Sequence, residues 1–195
     1  MHSPILIAAV AALATAVPAR ADQPADPYAG QQTRAIKALS EEDVSALRNG
    51  EGMGLAKAAE LNGYPGPAHV IELAKELRLT PDQLRKVTAI RDQMSATAKP
   101  LGSEIIDREQ ELDRLFAQGS ITAESLTADT VVISELQGRL RSVHLTAHLE
   151  TRSVLTPEQL AEYQQLRGYG NRAAASNHPE GDRRHHSGSG TAHDH

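Results

Sequence analysis

The sequence predicts an all-α protein, a bent antiparallel helical hairpin with short flanking helices. Apolar residues recur at the three- and four-residue spacing of helices almost throughout the chain, and strand signals are nearly absent. Two long amphipathic segments are joined by a short turn at Gly119 and Ser120, which indicates antiparallel packing. Residues 79–84 (LTPDQL) and 155–160 (LTPEQL) repeat one helix-start signal.

The first 21 residues have the pattern of a cleaved signal peptide. An apolar run over residues 5–17 precedes Pro18-Ala19-Arg20-Ala21, a small-x-small cleavage pattern. The run is too short for a permanent membrane span. We therefore expect export, with an uncleaved N-terminal membrane anchor as the alternative. Residues 22–38 predict a polar, extended leader.

Composition narrows the class of protein. The formal net charge of the chain is −5, and mild acidity argues against nucleic-acid binding. The chain has no Cys, which excludes disulfides and thiol catalysis. It has no Trp and one Phe, so the core must be aliphatic.

A helical domain is expected over residues 39–170. Three short helices are predicted at 40–48, 55–61 and 68–77, separated by glycines and by the Tyr64-Pro65-Gly66-Pro67 turn. The first long helix begins at Pro81 and carries Pro100, where we expect a kink rather than a break.

The second long helix is predicted to begin at Ala123 or Ala128 and to end at Val154, and a last helix covers 157–167. Both repeated hexapeptides read as helix caps. The Thr hydroxyl can accept from an early backbone N–H, Pro at the first position loses no needed donor, and Gln at the third reaches back to the cap. The structural cap residues are Leu79, Thr80, Pro81, Gln83, Leu155, Thr156, Pro157 and Gln159.

On these two motifs, the chain resembles the periplasmic LTxxQ proteins, which include CpxP, Spy and ZraP, with CnrX-type metal sensors as relatives. The likeness covers about residues 68–168. The resemblance implies a bent hairpin, often in a homodimer, and a periplasmic role in envelope stress. Family roles are holding unfolded proteins, damping a sensor kinase or binding heavy-metal ions. The N-terminal HxxxH helix of CnrX has no counterpart in residues 22–66.

His144 and His148 are the sharpest candidates for metal ligands. At i and i+4 they lie on one helix face, and we place them on the flank of the apolar stripe, partly exposed. A third ligand could be His69, with Glu72 or Glu150 adding an oxygen. No cofactor is expected to be obligatory, and the ion would be Zn²⁺, Ni²⁺, Co²⁺ or Cu²⁺. The alternative is that all three histidines are merely solvated.

Residues 171–195 are predicted to be a disordered tail, because they have no apolar periodicity. Scattered imidazoles in such a tract bind divalent metals weakly, and a solvated tail without function is the alternative. The tail histidines are His178, His185, His186, His193 and His195.

Catalysis has little support, because the chain lacks a nucleophile elbow, a His-Glu-x-x-His motif and a phosphate-binding loop. We expect a protein that is not an enzyme. Three functions remain. The first is a CpxP- or Spy-like stress accessory or chaperone for unfolded proteins, and the second is a heavy-metal binder or sensor; these two are compatible. The third is a non-catalytic helical adaptor.

Overall fold

The computed structural model describes residues 27–169. Over this range it contains six α-helices, one short 3-10 helix and no strand, which confirms the all-α prediction. The predicted signal peptide, the first part of the leader and the histidine-rich tail lie outside the described residues. The helices are α1 (Glu41–Asn49), α2 (Lys57–Glu60), α3 (Pro67–Glu72), α4 (Pro81–Ala117), α5 (Ala123–Val154) and α6 (Pro157–Leu166).

The framework is the antiparallel pair α4 and α5. Helix α4 has 37 residues, or about 55 Å at 1.5 Å per residue. Its first turns lie beside the last turn of α5, since Gln83 Nε2 donates to the carbonyl of Val154 at 3.0 Å. Pro100 lies inside α4 and does not end it, as predicted. No helix in the described range is long and apolar enough to cross a membrane.

Two mainly aliphatic clusters form the core, and the fully buried Tyr163 corrects the expectation that the core is aliphatic throughout. The first core joins α1, the middle of α4 and α5, and contains Ile36, Leu47, Ala98, Leu101, Ile105, Ile106, Leu136 and Leu140. The second core lies where α3, α6 and the start of α4 meet, and contains Val70, Leu77, Val87, Leu155 and Tyr163. Along α5, the buried residues between the two cores include His144 and His148.

Three predicted elements differ from the structure. The helix predicted at 55–61 is limited to Lys57–Glu60, with turns on either side. Helix α3 ends at Glu72, and residues 73–78 form turns in which Leu77 is still buried. The apolar stripe therefore continues beyond the helix, and Arg78 with φ of 50° redirects the chain toward α4. The described part of the leader is not extended: it contains a 3-10 helix at Gln31–Thr33, and Ile36 enters the first core. Burial of Ile36 explains why this segment folds back onto α4.

Candidate functional site: a histidine- and methionine-lined cavity

The two repeated motifs cap α4 and α6 as predicted. Thr80 Oγ1 accepts from the backbone N–H of Gln83 at 3.2 Å, and Gln83 Oε1 accepts from that of Thr80 at 3.1 Å. Thr156 and Gln159 repeat this pair of bonds at 3.3 and 3.0 Å. The capping box satisfies N–H groups that a helix start leaves without an internal partner.

The two motif glutamines also bind each other, which the sequence did not predict. Gln83 Nε2 donates to Gln159 Oε1 at 2.8 Å, and Gln159 Nε2 donates to the carbonyl of Leu77 at 3.1 Å. Each side chain therefore caps its own helix through its oxygen and ties it to another segment through its nitrogen. The amide presents its acceptor and its donor on separate atoms, whereas a Glu carboxylate would keep the cap and lose the donor, so the geometry favours Gln over Glu at this motif position.

A cavity of about 440 Å³ lies between α5, the start of α3, and the segment 52–61 that contains α2. All three histidines predicted as metal ligands line it. Its lining residues are Gly52, Met53, Gly54, Ala56, Lys57, Glu60, Leu61, Gly66, Pro67, Ala68, His69, Met94, His144, His148 and Tyr169. The cavity is therefore the part of the described chain where side chains capable of ligation are concentrated.

His144 is buried, with 2% of its surface exposed, and this corrects the prediction of a partly exposed side chain. Its Nε2 has no hydrogen-bond partner among the described residues. Burial, followed by the nearby His148, lowers the pKa of His144, so the ring is neutral near pH 7. A neutral imidazole with a free nitrogen can accept a hydrogen bond or bind a metal ion.

His148 is 9% exposed, and the sequence also placed it too near the surface. The segment between α2 and α3 covers it. His148 Nδ1 lies 2.7 Å from the carbonyl of Tyr64, and Arg152 donates to the carbonyl of Gly63 at 2.5 Å. Because a carbonyl only accepts, Nδ1 carries the proton in the neutral ring and Nε2 keeps the lone pair. Wheel geometry on α5 alone could not reveal this cover.

The buried carboxylate of Glu60 organises one wall of the cavity, and sequence reasoning missed it. It accepts from Tyr163 Oη at 2.5 Å and from the backbone N–H of Gly66 at 3.0 Å. Arg167 Nε lies 3.6 Å away as an ion partner. Burial, reinforced by the carboxylate, raises the pKa of Tyr163 well above its usual range. The only sequence signal was an acid next to two alanines in a short helix.

The predicted three-histidine metal site is not formed. Across residues 27–169, no three His, Asp or Glu side chains are arranged to hold one ion. His69 is instead drawn to the Glu60 network, with Nδ1 3.4 Å from Glu60 Oε1 and from Tyr163 Oη. Glu72 is exposed, and Glu150 lines a separate groove between α4 and α5. The tail histidines lie outside the described residues.

A second concave surface, which we call the distal groove, lies near the end of α4. It has a volume of about 480 Å³ and is lined by Lys37, Ala38, Glu109, Leu112, Asp113, Phe116 and Ala117. Phe116, the one Phe of the chain, is 55% exposed there. Lys37 and Asp113 form an ion pair of 3.1 Å at its edge. Burial raises the pKa of Glu109.

The fold and the paired motifs define a class of protein: a small all-α protein whose helical hairpin carries Leu-Thr-x-x-Gln caps at its helix starts. The model of the LTXXQ motif family matches residues 68–167. The chain therefore belongs to the LTXXQ motif family. No curated protein and no solved structure matches it.

Proposed function

We propose that this protein is a periplasmic, ATP-independent stress accessory of the CpxP and Spy type that holds unfolded proteins without catalysing a reaction. Membership of a family that is commonly extracytoplasmic supports the location, together with the signal-peptide pattern of residues 1–21. The family resemblance suggests further partners: a second copy of this chain in a homodimer, and a sensor kinase or other envelope protein.

The observation that carries this proposal is the distal groove. Its walls are mainly apolar, its edge carries Lys37 and Asp113, and it exposes the only phenylalanine of the chain. Exposed aromatic side chains framed by charge suit weak, reversible contact with unfolded polypeptides. None of the residues lining the groove belongs to either core, so a client could bind there while the hairpin stays folded.

The test is aggregation of reduced α-lactalbumin, followed by light scattering with equimolar full-length protein. We expect wild type to suppress aggregation and Phe116→Asp to suppress it less. Leu149→Asp is the matched control, because Leu149 is 57% exposed on α5 outside the groove. No suppression by wild type would contradict the proposal and leave the adaptor function. Equal suppression by both variants would contradict the role of the groove.

Metal binding is the second candidate function, because the cavity gathers His69, His144 and His148. Neutral imidazole nitrogens bind Zn²⁺, Ni²⁺, Co²⁺ and Cu²⁺, and the lowered pKa of His144 keeps that ring ready to ligate. Calorimetric titration of the full chain and of His144→Gln/His148→Gln is the test. We expect the double variant to lose one binding event, and wild-type affinity to weaken below about pH 6. Unchanged binding in the variant would exclude the cavity.

A further inference from the structure

Every histidine and every methionine in the described range lines the same cavity. Residues 27–169 contain His69, His144, His148, Met53 and Met94, and these come from the segment before α2 and from α3, α4 and α5. Hydrophobic packing alone does not explain the arrangement, because most of the buried hydrophobic residues of the range belong to two separate cores that contain no methionine. The shared property of the five side chains is a lone pair on nitrogen or sulfur.

Two of these side chains present nitrogens suited to ligation. Nε2 of His144 is buried without a partner, and Nε2 of His148 is left with its lone pair because Nδ1 donates to the Tyr64 carbonyl at 2.7 Å. In a metal-bound histidine, the N–H of the second ring nitrogen usually donates a hydrogen bond to a carbonyl or carboxylate, as His148 Nδ1 already does here. The two rings are one helical turn apart on α5.

The two methionines decide the class of ion. Zinc sites usually take three or four His, Cys, Asp or Glu ligands. No three such side chains in residues 27–169 are placed to share an ion, so the cavity lacks the usual ligand set for zinc. Thioether sulfur is a soft ligand that selects Cu(I). Met53 stands at the cavity with φ of 44°, a backbone conformation that residues other than glycine rarely adopt. Met53 therefore stands where the backbone conformation favours glycine, and its side chain contributes to the cavity lining.

We propose that the cavity binds a soft monovalent cation, Cu(I) or its redox-inert analogue Ag(I), through Nε2 of His144 and His148 and the thioether sulfurs of Met94 and Met53. This inference rests on the metal-binding candidate function and names its metal class. His69 takes no part, because the Glu60 and Tyr163 side chains engage it.

The first experiment is ¹H–¹³C NMR of the methionine methyl groups in the full chain during Ag(I) titration, repeated with Cu(I) under anaerobic reducing conditions. The chain has three methionines, so Met53 and Met94 can be assigned by substitution with Leu. We expect both methyl signals to shift and to saturate at one equivalent. The tail histidines cannot produce that result. Unmoved methyl signals would overturn the proposal.

The second experiment measures Cu(I) affinity by competition with bathocuproine disulfonate. Met94→Leu and His144→Gln should each weaken binding by at least about 10–100-fold, the cost of losing an outer-shell partner, because each removes a proposed ligand itself. His185→Gln is the control, since it removes a tail imidazole and no cavity ligand. An unchanged affinity in Met94→Leu would overturn the proposal. The methyl shifts in wild type keep the test decisive if His144→Gln fails to fold.

The two metal hypotheses fail differently. Binding of Zn²⁺ or Ni²⁺ that depends on His144, without methyl shifts under Ag(I) or Cu(I), would overturn the soft-metal inference and leave the general metal-binding function standing. If no metal binding depends on the cavity residues and neither methionine methyl signal shifts, the soft-metal inference and the general metal-binding function are both overturned.

Discussion

The side chain that couples the most elements is Glu60, on the four-residue helix α2. Its carboxylate joins Tyr163 of α6, the Gly66 N–H before α3 and, at longer range, Arg167. A buried carboxylate is tolerated only when donors and positive charge surround it. This one acid therefore holds α2 against α6 and fixes one wall of the cavity.

Tyr163→Phe tests that role at the scale of one hydroxyl. It removes the 2.5 Å hydrogen bond to Glu60 and leaves the ring in the second core. We expect the free energy of unfolding to fall by about 1–3 kcal/mol, because a buried carboxylate loses a donor. Urea denaturation measures it. Tyr64→Phe is the control, since it keeps the ring over Arg152 and removes a hydroxyl with no hydrogen bond in the described range. Equal losses in both variants would refute the argument.

Gly102 lies at a close approach between α4 and α1. A Cβ there would overlap the carbonyl oxygen of Leu47. We expect Gly102→Ala to lower the free energy of unfolding by about 1–3 kcal/mol, because the two helices must separate. Gly138→Ala is the matched control on α5, where an added Cβ meets nothing within 4 Å. That change should stabilise by about 0.5–1 kcal/mol through helix propensity. Thermal unfolding followed by circular dichroism distinguishes the two, and a neutral Gly102→Ala would contradict the packing.

At the scale of elements, the caps of α4 and α6 form one joint. Each motif Gln caps its own helix, and the two amides bond to each other at 2.8 and 3.1 Å. The local half of this arrangement follows from Thr and Gln three residues apart, so the sequence predicted it. The half that crosses between helices depends on α5 returning the second motif to the start of α4.

A double-mutant cycle of Gln83→Ala and Gln159→Ala measures that joint. Each single change should cost about 1–2 kcal/mol, because a cap and a cross-helix bond are lost together. The pair should be non-additive by about 0.5–3 kcal/mol. Gln137→Ala, on an exposed position of α5, should change stability by less than about 0.5 kcal/mol. Strict additivity would mean that the motifs act only as separate caps.

At the scale of the whole molecule, two apolar cores are separated along α5 by a stretch with several buried polar side chains. His144 and His148 lie in that stretch and line the cavity on its inner side. We expect the stability of this middle section to depend on protonation, because burial lowers the pKa of His144. The distal groove lies beyond the first core and is independent of that section.

We therefore expect the metal-free protein to lose stability as the pH falls below about 6.5. The folded pKa of His144 is lowered by burial, so the unfolded chain binds more protons than the native state in this range. The contribution is fully present above the unfolded pKa and declines as the pH falls toward the lowered folded value. Urea denaturation in EDTA at pH 7.5 and 5.5 measures it. His144→Leu should show a smaller difference between the two pH values, and an equal difference would exclude His144 as the cause.

Much of the fold could be predicted from the sequence, because helix starts, turns and amphipathic periodicity are local. The beginnings of α4 and α6 and the end of α5 fell where their signals stand. The length of α3 did not, because the buried positions of its stripe continue into turns, and periodicity records burial rather than hydrogen bonding. Ile36 likewise became a core residue through a contact with distant helices.

By itself, the sequence determined the helical class, the two capped helix starts and the chemical types available for binding. Only the tertiary structure decided that segment 51–66 covers α5, that His69 pairs with Glu60, and that Met53 and Met94 reach the cavity of His144 and His148. The physical reason is range. Caps and helical periodicity depend on residues within a few positions, whereas burial of a side chain and the gathering of ligands depend on which distant segments pack together.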